Sequence, residues 1–401
     1  MDYNKASLDQ HRLHHGKWEI SSKVDLDSRD DLAIAYTPGV AAVSNLVAAD
    51  PRAAYDLTMK GNTVAIVSDG SAVLGLGNIG PAGALPVMEG KAILFKRFAG
   101  IDGVQLVVDA DTSEEIIHAV RVIAPTFGGI NLEDIAAPKC FEVEAGLQDI
   151  GIPVFHDDQH GTAIVLLAAL HNAATVVGKP VEEMRVVVNG AGAAGTAIAR
   201  LLRCVGHDPS RCFPVRDVLV CDSRGIVSPQ RDDLNPYKRA LLDYTNTDAR
   251  SGSIHDAVRG ADVFIGVSVA NALSPDDVTA MAENPIILAM ANPDPEIMPE
   301  LARAAGAAVV GTGRSDFPNQ VNNVLVFPGI FRGALDARAT RISERMKIAA
   351  ARALAATVSD PQAERILPDP FDRSVATSIA EAVRNAALEE GVVRDGVPEV
   401  P

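Results

Sequence analysis

The sequence predicts an α/β protein built on a doubly wound parallel sheet, with an N-terminal α/β domain before it and C-terminal helices packing back on the body. Three observations support this prediction. From residue 185, continuous apolar runs typical of buried parallel strands alternate with helical patterns. A glycine-rich loop joins the first of these runs to a helix. After Phe331 the chain is rich in Ala and Arg at helical period.

The individual elements follow from short apolar runs and their punctuation. Strands of the main sheet are predicted at 186–188, 218–220, 263–265, 286–289 and 308–310, and a small-residue helix at 193–205. In the N-terminal part, strands are predicted at 64–67, 104–108 and 154–155. A helix over 112–123 begins at the N-cap Thr112 and carries Glu114 and Glu115 in its first turn. We divide the chain into an N-terminal domain (1–160), a Rossmann-type sheet domain (161–335) and a helical segment (336–401).

Composition excludes several classes of protein. The 36 basic and 52 acidic residues of the 401-residue chain give a net charge of −16, so the sequence predicts neither nucleic-acid nor anionic-membrane binding. The N-terminus lacks a signal-like apolar segment, and the longest apolar run, 163–170, is shorter than the ~18 residues that span a bilayer. Four cysteines without CxxC spacing favour free or buried thiols in a reducing compartment. We therefore expect a cytoplasmic protein, in which local features must capture any anionic substrate.

The strongest local motif is a dinucleotide-binding loop. Residues 190–195 fit the pattern GxGxxG directly after a strand and at the start of a helix. Gly190 permits the tight turn, Gly192 lets the backbone approach a pyrophosphate, and Gly195 lets the helix pack on the strand. Ala193 and Ala194 begin that helix, whose N-terminus favours an anion. The alternative is a Gly/Ala-rich turn without a ligand.

Two residues near the end of the next strand concern the choice of cofactor. Asp222 ends the next strand and would bind the adenosine ribose hydroxyls of NAD, whereas Arg224 could hold the extra phosphate of NADP. The sequence favours NAD only slightly.

Residues 75–80 also fit GxGxxG, but Pro81, Gly83 and Pro86 make a poor helix start. We interpret this stretch as a shaped loop leading to Lys91.

Two pairs of acidic residues each follow a short apolar stretch of the N-terminal part. Glu133 and Asp134 lie in a loop or first helical turn, and Asp157 and Asp158 follow the strand that ends at Phe155. Carboxylates at the ends of parallel strands face one crevice, and several such oxygens suit Mg²⁺ or Mn²⁺. Helix capping and surface solvation are the alternative. A zinc site on His156 and His160 is less favoured, because no third nitrogen or sulfur ligand is evident.

Four other polar residues are candidates for function. The turn 36–39 would present the hydroxyl of Tyr36 at a fixed place. Lys91 starts an apolar helical run, where it either extends its ammonium to solvent or is made neutral by burial and serves as a general base. Asn292 follows a parallel strand, on the side of the sheet where ligands bind. Asn323 and the neighbouring amides could bind a substrate carboxylate, or they could satisfy loop backbone.

Taken together, these residues resemble the malic enzyme family in its short bacterial form. The resembling segments run in order from about residue 30 to residue 335: YTPGVA, SDGSAVLGLGNIGPAGALPVMEGKA, INLEDI, FHDDQHGTA, NGAGAAG, ANPDPE and NNVLVFPG. The resemblance implies metal-dependent oxidative decarboxylation of (S)-malate to pyruvate and CO₂ with reduction of NAD(P)⁺, and decarboxylation of oxaloacetate. It also implies a homodimer or higher homo-oligomer.

The resemblance further implies roles for individual residues. Tyr36 would be the general acid and Lys91 the general base, with Asp157 beside Lys91. The metal ligands would be Glu133, Asp134 and Asp158, while Asn292, which also lies near the cofactor, and Asn323 would hold the malate carboxylate. In one departure, Ser71 and Ala72 replace the arginine that follows the DG pair in larger members. In another, the chain lacks the phosphotransacetylase-like extension of the long bacterial hybrids.

Two other functions stay open from the residues alone. A metal-independent 2-hydroxy acid dehydrogenase would stop at the keto acid without releasing CO₂. A nucleotide-sensing protein without turnover is disfavoured, because it would need neither Tyr36 nor Lys91 nor the carboxylates.

Overall fold

Two parallel sheets organise the chain in the computed structural model, which describes residues 2–73, 76–208 and 212–394. The first sheet has four strands in the order β2-β1-β3-β4, all parallel. Its strands are β1 (Thr63–Ser68), β2 (Asp102–Val107), β3 (Gly129–Leu132) and β4 (Val154–His156). The carboxyl ends of all four strands therefore meet at one edge.

Seven helices precede, connect or flank these strands: α1 (Tyr3–His14), α2 (Arg29–Ala35), α3 (Val40–Ala49), α4 (Ala54–Leu57), α5 (Gly80–Ala99), α6 (Ser113–Ile123) and α7 (Lys139–Ala145). The predicted start of α6 is confirmed, because Thr112 and Glu115 form a capping box. The predicted poor helix start near Pro81 is wrong. Pro81 lies in the first turn of α5, where its missing N–H costs nothing, and the helix continues through Pro86. Lys91 therefore lies in the middle of a helix.

The second sheet has the doubly wound topology that the sequence predicts. Its strands are β5 (Arg185–Asn189), β6 (Asp217–Asp222), β7 (Gly225–Ile226), β8 (Val263–Gly266), β9 (Ile286–Ala289) and β10 (Val309–Thr312). Their order, β10-β9-β8-β5-β6-β7, is that of a Rossmann sheet in which the edge strand β7 is antiparallel. The helices between these strands are α9 (Ala193–Leu202), α10 (Pro236–Leu241), α11 (Ile254–Ala257), α12 (Pro275–Thr279) and α13 (Pro299–Ala304).

The long helix that links the two sheets was not predicted from the sequence. The helix α8 (Asp157–Val177) begins directly after β4, ends at Gly178 in the left-handed region, and buries most of its side chains. Three C-terminal helices complete the fold: α14 (Phe327–Asp336), α15 (Glu344–Ala356) and α16 (Arg373–Glu390). One continuous core joins α8, both sheets and these helices, and includes Ile66, Phe155, Val188 and Phe331. Packing of the C-terminal helices on both domains makes the two sheets one unit.

The cysteine prediction is wrong for two of the four residues. Cys204 and Cys212 form a disulfide, with their Cα atoms 5.8 Å apart, whereas Cys140 and Cys221 are free and buried. The chain turns back after α9, which brings two cysteines eight residues apart within bonding distance. Spacing alone did not reveal this turn.

The N-terminal helices bury no side chain at all. Helices α1, α2 and α3 have no buried residue, although α3 is apolar. By length and composition, the stretches 29–49 and 157–177 could each cross a membrane, but the second is mostly buried and the first is broken between α2 and α3. The exposed large apolar side chains in this region are Tyr3, Leu8, Leu13, Ile20, Val24, Leu26, Leu32, Ile34, Tyr36, Val40, Val43, Leu46, Leu57 and Met59.

Candidate active site

Three carboxylates meet at the carboxyl edge of the first sheet. Glu133 and Asp134 follow β3, and Asp158 lies in the first turn of α8, which follows the neighbouring strand β4. One ligand atom from each lies within 4.8 Å of the others. The backbone N–H of Asp134, a residue with a left-handed φ of 54°, donates to Asp158 Oδ2 at 2.8 Å. Three converging carboxylates with Glu133 and Asp134 buried suit a hard divalent cation such as Mg²⁺ or Mn²⁺.

A buried lysine lies against this acidic cluster. The Nζ atom of Lys91 is 2.5 Å from Asp157 Oδ2 and 2.7 Å from Glu133 Oε1. Asp157 also accepts a hydrogen bond of 2.6 Å from Asn323 Nδ2. Gly161 makes room for this arrangement, because a Cβ there would lie 1.8 Å from Asp157 Oδ1. The structure therefore brings Lys91, Asp157, Asn323 and the three carboxylates into one site.

The charge of Lys91 differs from the prediction of a lysine made neutral by burial. Burial lowers the pKa of Lys91, but the negative charges of Asp157, Glu133 and Asp158 outweigh burial and raise this pKa well above its usual value. Burial also raises the pKa of Asp157, an effect that Glu133 strengthens and Lys91 opposes. Carboxylates, rather than other cations, surround the ammonium. This arrangement therefore favours the charged, ammonium form of Lys91.

The glycine-rich loop lines a large cleft between the domains. Gly190 has a φ of 130°, and a Cβ there would lie 2.6 Å from the carbonyl oxygen of Val267. A Cβ on Gly195 would lie 1.7 Å from the carbonyl oxygen of Gly190, whereas one on Gly192 would meet nothing within 4 Å. A cavity of about 730 Å³ lies over Gly190 and Gly192 and extends to Ala137 and Pro138, just beyond Asp134. Ala193 and Ala194 begin α9, whose N-terminus is thus open to an anionic ligand.

Cations surround the acid that was predicted to bind a ribose. Asp222 accepts two hydrogen bonds from Arg231, at 2.7 and 3.0 Å, and one from Lys238 at 2.5 Å. Burial raises the pKa of Asp222, but the hydrogen bonds from Arg231 and Lys238 lower it by more. The pKa of Asp222 therefore lies well below its usual range. Arg224 is mostly exposed at the same end of the cavity, which Lys238 also lines. Asp222 therefore lines the cavity with its carboxylate already paired to two cations, and its contact with a ribose stays a prediction.

Two predicted site residues form no hydrogen bond with the described residues of the lysine cluster. The side chain of Tyr36 is 67% exposed, and within residues 2–73, 76–208 and 212–394 its hydroxyl has no hydrogen-bond partner. The side chain of Asn292 is exposed and donates to the carbonyl of Met290 in its own loop at 3.3 Å. Residues 76–79 of the second glycine motif lead into α5, which begins at Gly80, and Gly75 lies outside the described residues. The interpretation of this motif as a loop that binds no nucleotide stays a prediction.

The sequence did not single out several residues that the structure places near the site. Glu144 accepts hydrogen bonds from the first turn of α8, Lys238 and Arg231 bind Asp222, and Lys139 forms an ion pair with Asp69. Their partners are distant in the sequence or lie in a different element, so no local pattern marks them.

The fold and site define a two-domain, dinucleotide-binding protein with a lysine-containing acidic cluster at the domain cleft. Two family models match the chain: "Malic enzyme, NAD binding domain" over residues 159–388 and "Malic enzyme, N-terminal domain" over residues 15–115. The bifunctional malic/malolactic enzyme of Bacillus subtilis is 54% identical over 98% of this chain and 95% of its own length. The NAD-dependent malic enzyme of Geobacillus stearothermophilus is 52% identical over 96% of this chain and 79% of its own.

Solved structures agree with these sequence relatives. A crystal structure of an NAD-dependent malic enzyme from Thermotoga maritima covers 94% of this chain and 98% of its own, with a TM-score of 0.89 and 48% identity. The malic enzyme of Entamoeba histolytica covers 98% of this chain and 83% of its own, with a TM-score of 0.91 and 38% identity. This chain belongs to the malic enzyme family.

Proposed function

We propose that this chain catalyses the oxidative decarboxylation of (S)-malate to pyruvate and CO₂, with reduction of a nicotinamide dinucleotide. The observation that carries the proposal is the buried contact of Lys91 with Asp157 and Glu133 beside a carboxylate cluster, at the edge of a dinucleotide cleft. The family relationship supports the same reaction. A similar cluster would have no purpose in a protein that only senses nucleotides.

The residues present fit a divalent cation, which Glu133, Asp134 and Asp158 would hold. When bound, Mg²⁺ or Mn²⁺ supplies Lewis-acid activation of the substrate oxygens and charge attraction for a dianion on this acidic chain. Two features of the glycine loop support binding of the dinucleotide that would accept the hydride. The open face of Gly192 and the N-terminus of α9 would bind the pyrophosphate of the dinucleotide, beside the cluster.

Lys91 must release a proton before it can accept the proton of the malate C2 hydroxyl. Asp157, at 2.5 Å, is the group placed to take the lysine proton, and its raised pKa lowers the free-energy cost of that transfer. The carboxylates that raise the pKa of Lys91 have less effect on it when their charge is neutralised by a cation. Asn323 donates a hydrogen bond to Asp157 and so orients this carboxylate. Of the two amides proposed to hold the substrate, Asn323 is the one bonded to the lysine cluster.

A single assay tests this function. Malate is incubated with NAD⁺ or NADP⁺, with and without Mn²⁺, and both reduced cofactor and released CO₂ are measured. Stoichiometric CO₂ and loss of turnover after chelation are expected. Reduced cofactor without CO₂, and without a metal requirement, would instead identify a metal-independent 2-hydroxy acid dehydrogenase, and no turnover at all would favour a nucleotide sensor.

For the cofactor, we propose that the chain accepts NADP as well as NAD. Around Asp222 the cations Arg224, Arg231 and Lys238 outnumber the carboxylates of Asp222 and Asp233, so the local charge favours the extra phosphate of NADP. Replacing Lys238 with Ala is expected to raise the KM for NADP⁺ about tenfold, the value of one charge-assisted contact, with little change for NAD⁺. Equal changes for both cofactors would contradict this assignment.

We also propose a homodimer in which the exposed N-terminal helices pack against a second copy. Apolar side chains such as Leu32, Ile34 and Val43 are exposed there, and patches of this kind mark interfaces. Tyr36 lies within this surface, so a second copy would bring Tyr36 to a lysine cluster as the general acid.

Mixing two inactive variants tests this arrangement. If subunits exchange, Tyr36→Phe and Lys91→Met chains form mixed dimers that keep one intact site, and about a quarter of wild-type activity is expected to return. A monomer in sedimentation, or no recovery after confirmed exchange, would contradict the proposal. The domain division at residue 160 and a cytoplasmic location stay predictions.

A further inference from the structure

The carboxylate of Glu144 binds the turn that carries two acids of the site, Asp157 and Asp158. Glu144 is in the last turn of α7, and its side chain is only 14% exposed. It accepts hydrogen bonds from His160 Nε2 at 2.9 Å, from Gln159 Nε2 at 3.3 Å and from the backbone N–H of His156 at 3.4 Å. All three donors lie within residues 156–160, the segment that carries Asp157 and Asp158.

This segment has no cap of its own. His156 occupies the N-cap position of α8, but its side chain makes no capping hydrogen bond. A helix start without a cap leaves backbone N–H groups unsatisfied and its first turn poorly fixed. Glu144 supplies the missing anchor from another helix. The direction in which Asp158 points therefore depends on a carboxylate outside α8.

A lysine of the C-terminal region fixes the orientation of the histidine. Lys347 Nζ, on α15, lies 3.2 Å from His160 Nδ1 and 2.7 Å from Glu344. An ammonium can only donate hydrogen bonds, so Nδ1 accepts and Nε2 carries the proton that His160 gives to Glu144. Glu344 in turn pairs with His207, just after α9, at 3.1 Å. A continuous polar chain thus connects α7, α8, α15 and the dinucleotide domain.

We infer that Glu144 is a positioning residue for the divalent-cation site, acting through His160 and supported by Lys347. It touches no reacting atom, and it holds the turn from which Asp158 reaches the cation. The inference rests on the proposed function, because it assumes that Glu133, Asp134 and Asp158 bind the cation. Its consequence is that metal affinity depends in part on α15, a helix that follows the Rossmann-type sheet in the sequence.

The test measures Mn²⁺ binding directly. Free Mn²⁺ is followed by electron paramagnetic resonance during titration of the chelator-treated full chain, for wild type and Glu144→Gln. Loss of a residue that orients metal ligands typically weakens metal binding about 10- to 100-fold, so a rise in the Mn²⁺ Kd of about tenfold is expected. At saturating Mn²⁺, the KM for malate is expected to return to near the wild-type value.

A matched variant separates positioning from loss of stability. Asp277→Asn breaks a second carboxylate–histidine pair, Asp277 with His255 at 2.8 Å, which lies in the dinucleotide domain. Both variants are expected to unfold at lower temperature, but only Glu144→Gln is expected to weaken Mn²⁺ binding. An equal rise in Kd for both variants would overturn the inference, as would an unchanged Kd in folded Glu144→Gln.

A second variant keeps the test decisive if Glu144→Gln does not fold. Lys347→Met preserves the length of a side chain that is only 8% exposed and removes its bond to His160. It is expected to raise the Mn²⁺ Kd severalfold, and an unchanged Kd would overturn the inference. If the wild-type chain itself bound no Mn²⁺, the cation site under the proposed function would fail, and this inference with it.

Discussion

Replacing Lys91 with Met probes the charge balance of the whole site. Lys91 is buried, lies 2.5 Å from Asp157 and 2.7 Å from Glu133, and places its Nζ 4.1 Å from the ring centre of Phe327. Met fills a similar volume but carries no charge. Removing one partner from a buried ion pair costs about 3–5 kcal/mol, because the remaining charges stay buried without compensation. We expect the free energy of unfolding of the metal-free protein to fall by about this amount.

The loss of stability has a defined pH dependence. Burial raises the pKa of Asp157 and of Glu133 above their usual values, and losing the lysine charge raises both further. A group whose pKa is higher in the folded state stabilises the fold at low pH and ceases to do so as pH rises through that pKa. The penalty of Lys91→Met is therefore expected to be smaller at pH 5 than at pH 8. Urea unfolding at both pH values measures it.

The same variant tests the proposed base. General acid–base catalysis contributes about 10²- to 10⁴-fold, so kcat for malate oxidation is expected to fall by that factor. Dinucleotide binding is expected to stay unchanged, because the glycine loop is intact. Lys96→Met is the control: Lys96 lies on the same helix and pairs with Asp102 at 2.7 Å, but it is half exposed, so its loss is worth at most about 1 kcal/mol. Turnover within threefold of wild type in Lys91→Met would refute the base assignment.

Three further predictions use other parts of the molecule. Asp158→Asn removes one of three clustered carboxylates, so the Mn²⁺ concentration for half-maximal activity is expected to rise more than tenfold, and an unaltered titration would exclude Asp158 as a ligand. Thr112→Ala removes the capping box of α6, which should lower the free energy of unfolding by about 0.5–2 kcal/mol without changing kcat. Cys204→Ser opens the Cys204–Cys212 bridge. Closing this short loop restricts the unfolded chain and stabilises the fold by about 2–3 kcal/mol, so a reductant should destabilise only the wild type. The same reductant response in both chains would argue against this disulfide.

Local sequence patterns were sufficient for the dinucleotide domain. The strands β5, β6, β8, β9 and β10 and the helix α9 follow from apolar runs and glycine spacing, because buried parallel strands need little information beyond their own residues. The short strand β3 and the helix α8 were not predicted. Gly129 and Gly161 interrupt the patterns there. A Cβ on Gly161 would lie 1.8 Å from Asp157 Oδ1 and one on Gly129 would lie 3.1 Å from the ring of Phe331, contacts that only the folded chain reveals.

The sequence by itself determined which residue types are available for chemistry: a glycine loop after a strand, two acid pairs and a lysine in segments that resemble one family. Only the tertiary structure decided their electrical state. Lys91 and Asp157 are 66 residues apart, and Asp222 takes its charge partners from 9 and 16 residues further on. Charge interactions depend on distance and burial in space, and neither quantity is written in the order of residues along the chain.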